Sequence, residues 1–412
     1  MDLAAVLAPV SPHQFFSQYL TKEFLFLPGS SAKKFADLMP WSALNDILRH
    51  GRFDAGHLRL VKEGKAVPPE TFLRFDQGKI VSTPRLLATE LTEQLREGAT
   101  LIINRIDQTY EPLTRLCEEL ERTLETPVRI NLYAGWRSSR GFDLHWDDHD
   151  VFILQVSGRK HWETHGTTTR FPDDQCENVE RPTAGPTWSR VVEPGDLLYI
   201  PRGCWHVAVP LEEPTLHLTV GFSNFTGVDL LRWISNRLRA QEVIRMDLPW
   251  FSNREVQIQH LTALRAAISE ICSEPNLLET FRHTMNGTAR TRCMFGLPET
   301  ATPQILPDSD SFVIALTTSR PPIVELSETV DVSLGGKVFH YDAATRPLFD
   351  VLAKCEGRSV AAFRAELSDA YTTEQVTAFL ADLVRHGIIV LQQPVTPHPA
   401  ESEAINATVG GS

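Results

Sequence analysis

At 412 residues the chain exceeds what one ordinary core serves, so two or three domains are expected, and 42% apolar with 22% charged residues marks a globular composition. A formal charge of -12 disfavours a phosphate-tracking surface, makes DNA an unfavoured partner and suits a basic macromolecular one. Six scattered cysteines (Cys117, Cys176, Cys204, Cys272, Cys293, Cys355) without a CxxC spacing speak against a disulfide framework or a zinc finger, and predict reduced thiols in a cytoplasmic protein.

The first residues, MDLAAVLAPVSPHQ, carry Asp2 and no basic start, so no secretory signal is expected, and no apolar run reaches the roughly 20 residues that span a bilayer. From Pro12 to about Arg122, helical stretches (HQFFSQYL, WSALNDILRH, RLLATELTEQLREG, EPLTRLCEELERTLE) alternate with the strand-like runs EFLFLPG and ATLIINRI, a mixed α/β lead-in. From Pro127 to Phe225 come short β-rich runs, VRINLYAG, DVFILQVSG, RVVEPGDLLYIPRG and TLHLTVGF, punctuated by Gly, Pro and Asp. Many short strands at close spacing predict a sandwich or barrel. Between Val228 and about Met285 the pattern is helical, as in a connector or dimerisation module, and the Pro-bearing loop GLPETATPQILPDSD marks a boundary.

The last unit, from about Ser311 to Gln393, reads as strands (FVIAL, PPIVELSETVDVSL, KVFHY), three helices and a closing strand IIVLQ, a winged-helix-like order. In its final helix Thr372 and Gln375 form a capping box, and Val376, Phe379, Leu380, Leu383 and Val384 make one apolar stripe ending at Gly387. Glu374 and Asp382 beside Arg385 make the polar side a poor fit to a DNA groove, so protein contact is expected there. The tail from Pro394 is polar, with disorder expected. The expected division is 1–225, 226–300, 301–395 and a disordered 396–412.

Chemistry concentrates in Leu144-His145-Trp146-Asp147-Asp148-His149-Asp150. On an extended backbone His145 and Asp147 point to one face. His206, after GDLLYIPRGCW at the end of another predicted strand, is well placed to be a third ligand. Two histidines and one carboxylate on one side of an ion leave positions open for a co-substrate and dioxygen, the facial triad of non-haem iron oxygenases. The same letters fit a polar turn built on Asp147, Asp148 and Asp150, and His149 is a rival ligand.

A 2-oxoglutarate co-substrate needs a fixed cation for its distal carboxylate. Lys160, beyond the Gly158 turn, can supply it; a solvated turn lysine reads the same, and Arg159 competes. Along VRINLYAG, Asn131 and Tyr133 share the face opposite Val128, Ile130, Leu132 and Ala134, and along TLHLTVGF, His217 and Thr219 oppose Leu216, Leu218 and Val220. Such strands suit a barrel holding a polar ligand, and ordinary edge strands look alike.

The succession NLYAGW, HWDDHDVFILQVSGRKHW and EPGDLLYIPRGCWHVAV resembles the Jumonji-C subgroup of the cupin superfamily, in particular the ribosomal-oxygenase group, over most of the chain. The resemblance implies a double-stranded β-helix barrel followed by a helical dimerisation segment and a winged-helix-like C-terminal domain, hence a homodimer. It implies that His145, Asp147 and His206 are catalytic and hold Fe(II), that Lys160 pairs with the 2-oxoglutarate carboxylate, and that Asn131, Tyr133 and Thr219 line the co-substrate pocket. The expected activity is dioxygenase hydroxylation of a protein side chain, with a basic ribosomal protein as one candidate substrate. Hydroxylation of a small peptide or metabolite, and a non-catalytic cupin-like interaction module, are the alternatives.

Overall fold

The run Asp150–Ser157 has an unbroken apolar stretch from Val151 to Leu154, and the computed structural model gives the reason: the strand is buried at every position but the last, with both of its faces covered. The structure describes residues 1–77, 82–139, 141–173, 175–176, 179–288, 294–298, 301, 306, 310–319, 323–325, 329–354 and 357–394. The expected disordered tail, Cys293 and Cys355 lie outside these residues. Two compact units, Met1–Phe225 and Thr226–Ser412, make up the chain.

In the first unit the strands are β1 (Leu25–Leu27), β2 (Leu58–Lys62), β3 (Lys65–Ala66), β4 (Leu73–Gln77), β5 (Ser82–Leu86), β6 (Thr100–Ile103), β7 (Val128–Gly135), β8 (Asp150–Ser157), β9 (Lys160–Thr167), β10 (Trp188–Val192), β11 (Leu197–Ile200), β12 (Cys204–Pro210) and β13 (Thr215–Phe222). Eight of them form one antiparallel sheet in the order β1-β11-β8-β13-β7-β6-β2-β3. A second sheet has the order β10-β9-β12, and β4 and β5 make a hairpin. The lead-in is therefore not a separate layer, because β1, β6, β2 and β3 extend the large sheet. Strand β2 and the β4–β5 hairpin are short and charged, with an apolar–polar alternation of only three or four residues in β2 and β4 to announce them.

One face of the large sheet carries Ile130, Leu132, Phe152, Leu154, Leu197, Tyr199, Leu216, Leu218 and Val220 into the main core. Helices α1 (Leu3–Leu7), α3 (Trp41–His50), α4 (Ala88–Arg96) and α5 (Glu111–Leu124) contribute the other side, with Phe15 just after the short α2 (Pro12–Gln14). Helix α5 buries Leu113, Leu116 and Leu120, each worth about 1.5–3 kcal/mol. It is joined to β7 by Glu121, whose Oε1 accepts the Val128 N–H at 2.9 Å. The opposite face meets the small sheet: Val151, Ile153, Leu198 and Ile200 pack with Trp162, Val192 and Cys204. That inter-sheet space is apolar toward β11 and turns polar toward β13 and β7, where Tyr133, His217 and Thr219 enter it. Gly158 makes the β8–β9 turn at φ +61°, where a Cβ would lie 2.1 Å from the Pro214 carbonyl oxygen; no other residue starts β9 at this point.

The second unit contains α6 (Gly227–Leu238), α7 (Glu242–Arg245), α8 (Arg254–Cys272) and α9 (Leu277–Thr288), packed around Trp233, Ile234, Leu238, Ala267, Ile271 and Phe281. A separate cluster joins β14 (Val313–Leu316), β16 (Thr329–Leu334), β17 (Lys337–Asp342), α10 (Arg346–Lys354), α11 (Val360–Leu367), α12 (Thr373–Arg385) and β18 (Ile389–Gln392), and β15 spans Ile323–Glu325. Strands β15, β16 and β17 form an antiparallel sheet and β14 pairs with β18. The Thr372–Gln375 capping box is present, and Val376, Phe379, Leu380 and Leu383 are buried. Among the described residues no helix is long and apolar enough to cross a membrane.

Candidate metal centre

Between β7 and β8 the chain runs irregularly, and His145 is pinned there by an isolated antiparallel bridge to His206 on β12. The His206 N–H donates to the His145 carbonyl at 2.8 Å and the His145 N–H to the His206 carbonyl at 3.1 Å. Asp147 is held by its own carbonyl, which accepts the Gly203 N–H at 2.9 Å. The sequence expectation of one extended strand carrying His145 and Asp147 is thus replaced by a loop tied to a neighbouring strand. His206 also belongs to β12 and not to the end of the strand before it. One ligand atom from each of His145, Asp147 and His206 lies within 4.8 Å of the others.

Both imidazoles are orientated by backbone. A carbonyl oxygen only accepts, so the Nδ1–H of His145 donates to Asp143 O at 2.8 Å and that of His206 to Cys204 O at 2.9 Å. Each Nε2 is left with a lone pair, the form a metal ligand requires. Burial, reinforced by His145, pushes the His206 imidazole well down toward the neutral form, against the opposing pull of Asp147. Burial raises the Asp147 carboxyl, but His206, His149, His145 and Arg129 outweigh it and hold the group below its usual range. Two imidazoles that each turn Nε2 to the cluster and one carboxylate are donors a divalent cation takes, so the set fits one. The rival His149 points elsewhere: its Nδ1 meets Asp148 at 2.7 Å and its ring lies against Gly221.

A cavity of about 220 Å³ opens beside this cluster. Tyr133, Lys160, Thr219, Trp162 and His217 line it together with the three ligands. Lys160 is 3% exposed, its ammonium 2.8 Å from His217 Nδ1, and burial lowers its pKa to about 7. Arg159, the competing cation, is paired with Glu213 at 3.0 Å instead. Burial first, and then the Asp147 charge, push the Tyr133 phenol up to about 12, so it is a hydrogen-bond donor throughout the ordinary pH range. Asn131 is not among the residues lining the cavity. Its Oδ1 accepts the Arg105 N–H at 3.0 Å, and its influence on the cavity is to oppose the upward push on the Tyr133 phenol.

Trp162 was not singled out by sequence, and His217 was placed only on a polar strand face, with no role. Trp162 lies 6.2 Å from His206 and 5.4 Å from His217, ring centre to ring centre, and its Nε1 finds no hydrogen-bond partner among the described residues. Its signal was its place two residues after Lys160 on the same strand face. His217 shares the face of Thr219, and that alternation was its signal. The register slips beside both histidines: one extra β9 residue falls between the Cys204 and His206 pairings, and one extra β8 residue between those of Leu216 and His217. Bulges of this kind re-aim side chains at sites. Around the centre, Trp205 Nε1 donates to Thr168 Oγ1 at 2.9 Å, and Gly203 turns at φ +81° against Pro172.

Residues 104–230 match the family model described as JmjC domain. A protein of Dictyostelium discoideum described as bifunctional lysine-specific demethylase and histidyl-hydroxylase NO66 is 27% identical over 241 residues, covering 57% of this chain and 45% of that protein. A protein of Brugia malayi with the same description is 26% identical over 259 residues, 58% of this chain and 35% of its own. The chain thus spans less than half the length of these relatives. Among solved structures, Escherichia coli ribosomal oxygenase YcfD superposes with a TM-score of 0.60 at 18% identity, covering 93% of this chain and 98% of that one. A further YcfD structure, in complex with cobalt and 2-oxoglutarate, gives 0.59 at 19% identity, and at such identities the likeness is one of fold. The mixed α/β architecture with its large antiparallel sheet is of the JmjC and cupin type, and residues 104–230 are the part that matches the JmjC-domain model.

Proposed function

We propose that the chain is an Fe(II)- and 2-oxoglutarate-dependent oxygenase that hydroxylates a protein side chain. One observation carries the reading: an open-sided His145–Asp147–His206 cluster and a buried cation, Lys160, face the same cavity. Three ligands on one side of an ion leave room for a chelating 2-oxo acid and dioxygen. Bound iron supplies the oxidising chemistry that no side chain of the protein can.

The protein's own groups do the rest. His145 and His206 present Nε2 because Asp143 and Cys204 carbonyls occupy Nδ1, and Asp147 contributes the negative charge. Lys160 pairs with the distal carboxylate of the co-substrate, and the Tyr133 and Thr219 hydroxyls offer hydrogen bonds beside it. Trp162 and Ile153 close the wall against water, which strengthens the Lys160 interaction. Asn131 acts behind Tyr133.

The similarity to a histidyl-hydroxylase and to a ribosomal oxygenase supports a protein substrate, and the charge of -12 favours a basic one such as a ribosomal protein. We read the two facing sheets as a double-stranded β-helix barrel, 226–300 as a connector or dimerisation segment, and 301–395, with α10, α11 and α12 followed by β18, as winged-helix-like. Exposed Trp250, Phe251 and Leu261 support self-association of the middle segment. Anaerobic addition of Fe(II) and 2-oxoglutarate should raise a weak visible charge-transfer band that His145→Ala loses. No band in the intact protein, or a band that survives the substitution, overturns the reading. Peptides of basic ribosomal proteins should gain one oxygen by mass spectrometry.

A further inference from the structure

We infer that His217 is a positioning residue for the co-substrate, holding the Lys160 ammonium at one fixed point so that the anion pole of the cavity is a two-residue device. The inference rests on the oxygenase reading, since it concerns the carboxylate that Lys160 receives there. Lys160 enters from β9 in the small sheet and His217 from β13 in the large one, and they meet across the inter-sheet space at 2.8 Å. Both are almost fully buried, at 3% and 4% exposed.

A lysine stem has four rotatable carbons, and ordering it costs side-chain entropy. An acceptor that waits inside the cavity meets that cost before any ligand arrives. An ammonium has only donors, so His217 Nδ1 accepts and the ring proton sits on Nε2. Two of the three Lys160 N–H bonds then remain for a carboxylate. Burial and the adjacent Lys160 charge keep the imidazole neutral, as an acceptor must be.

The ring itself cannot swing away. It stacks on Tyr133 at 4.9 Å and 2°, and meets Trp162 edge-on at 5.4 Å and 75°. From the backbone side, β13 keeps an unbroken register with β7 through this point, His217 opposite Tyr133 and Leu218 opposite Leu132, which fixes the face His217 presents. Since Tyr133 and Trp162 also line the cavity, the residues that clamp His217 are those that wall the ligand. A ring needed only to fill space would require no lone pair turned toward the cation.

Calorimetry on the full chain loaded with Mn(II), which supports binding without turnover, tests the assignment. His217→Ala should weaken 2-oxoglutarate binding about tenfold, the worth of a hydrogen bond to a charged group, with Mn(II) affinity unchanged. His217→Asn, which retains an acceptor at the same reach, should recover most of the loss and guards against a variant that merely fails to fold. In a Lys160→Met background His217→Ala should cost nothing more, because its effect passes through the ammonium. Unchanged 2-oxoglutarate affinity in His217→Ala, or penalties that simply add in the double variant, overturns the role of His217 alone. If the Mn(II)-loaded intact protein binds no 2-oxoglutarate, the oxygenase reading falls instead.

Discussion

The two poles of the cavity are made differently. At the metal pole two of the three ligands, His145 and Asp147, come from an irregular segment, and geometry is imposed by main-chain bonds: the His145–His206 bridge, the carbonyls behind each Nδ1, and Gly203 on Asp147. At the anion pole Lys160, His217, Thr219 and Tyr133 stand on regular strands, and geometry comes from side chains packed on side chains. A centre held by backbone tolerates changes in nearby side chains. A pole held by side chains is sensitive to each of them.

The largest effect should come from the ligands themselves. Asp147→Ala is expected to lower divalent-cation affinity by more than ~100-fold, beyond the range of about 10–100-fold typical of groups that only orient a ligand. Calorimetric titration with Mn(II) reads it, and retained affinity would mean the cluster is not the metal centre. Lys160→Ala should separate the poles, weakening 2-oxoglutarate by about 100-fold while cation affinity holds, as expected for losing a buried charge-assisted bond. Loss of both affinities together would erase the comparison.

A smaller effect follows from pH. Burial lowers Lys160 to about 7, so the free protein loses this proton as pH rises through that value. The carboxylate binds the ammonium form and draws the pKa back up, so affinity should fall about tenfold per pH unit above it, with one proton taken up on binding. Titrations in buffers of different ionisation enthalpy count that proton. Lys160→Arg, charged at every accessible pH, should flatten the profile. The smallest contrast lies within one polar face: Thr219→Val should cost about fivefold in 2-oxoglutarate affinity, the worth of one neutral hydrogen bond, and Asn131→Ala less. The reverse order would move the co-substrate toward β6.

Legibility followed the same divide. Strands β7 and β13 could be read from end to end because period-two alternation survives in them, and the Gly158 turn announced Lys160 at the head of β9. His145, Asp147 and His206 were legible through motif resemblance, not through period, since Asp147 lies on no strand. The Lys160–His217 contact joins residues 57 apart on different sheets, and nothing local encodes the distance between sheets. Bulges beside His206 and His217 break the register without breaking the apolar pattern. Asn131 illustrates a related limit: alternation assigns a face but not a depth along the strand, and at that depth the partner is the Arg105 N–H.

Gly203 extends the metal pole outward. Its N–H holds Asp147, while its Cα side is closed by Pro172, which a Cβ would approach to 2.6 Å, and two residues on Trp205 binds Thr168. The turn is therefore common property of a ligand-bearing loop and of the surface segment 168–172. Linkage makes such sharing reciprocal: whatever free energy a bound cation gains by ordering this turn, an ordered segment returns as cation affinity. Resistance of that segment to proteolysis then becomes an external gauge of whether the metal centre is filled.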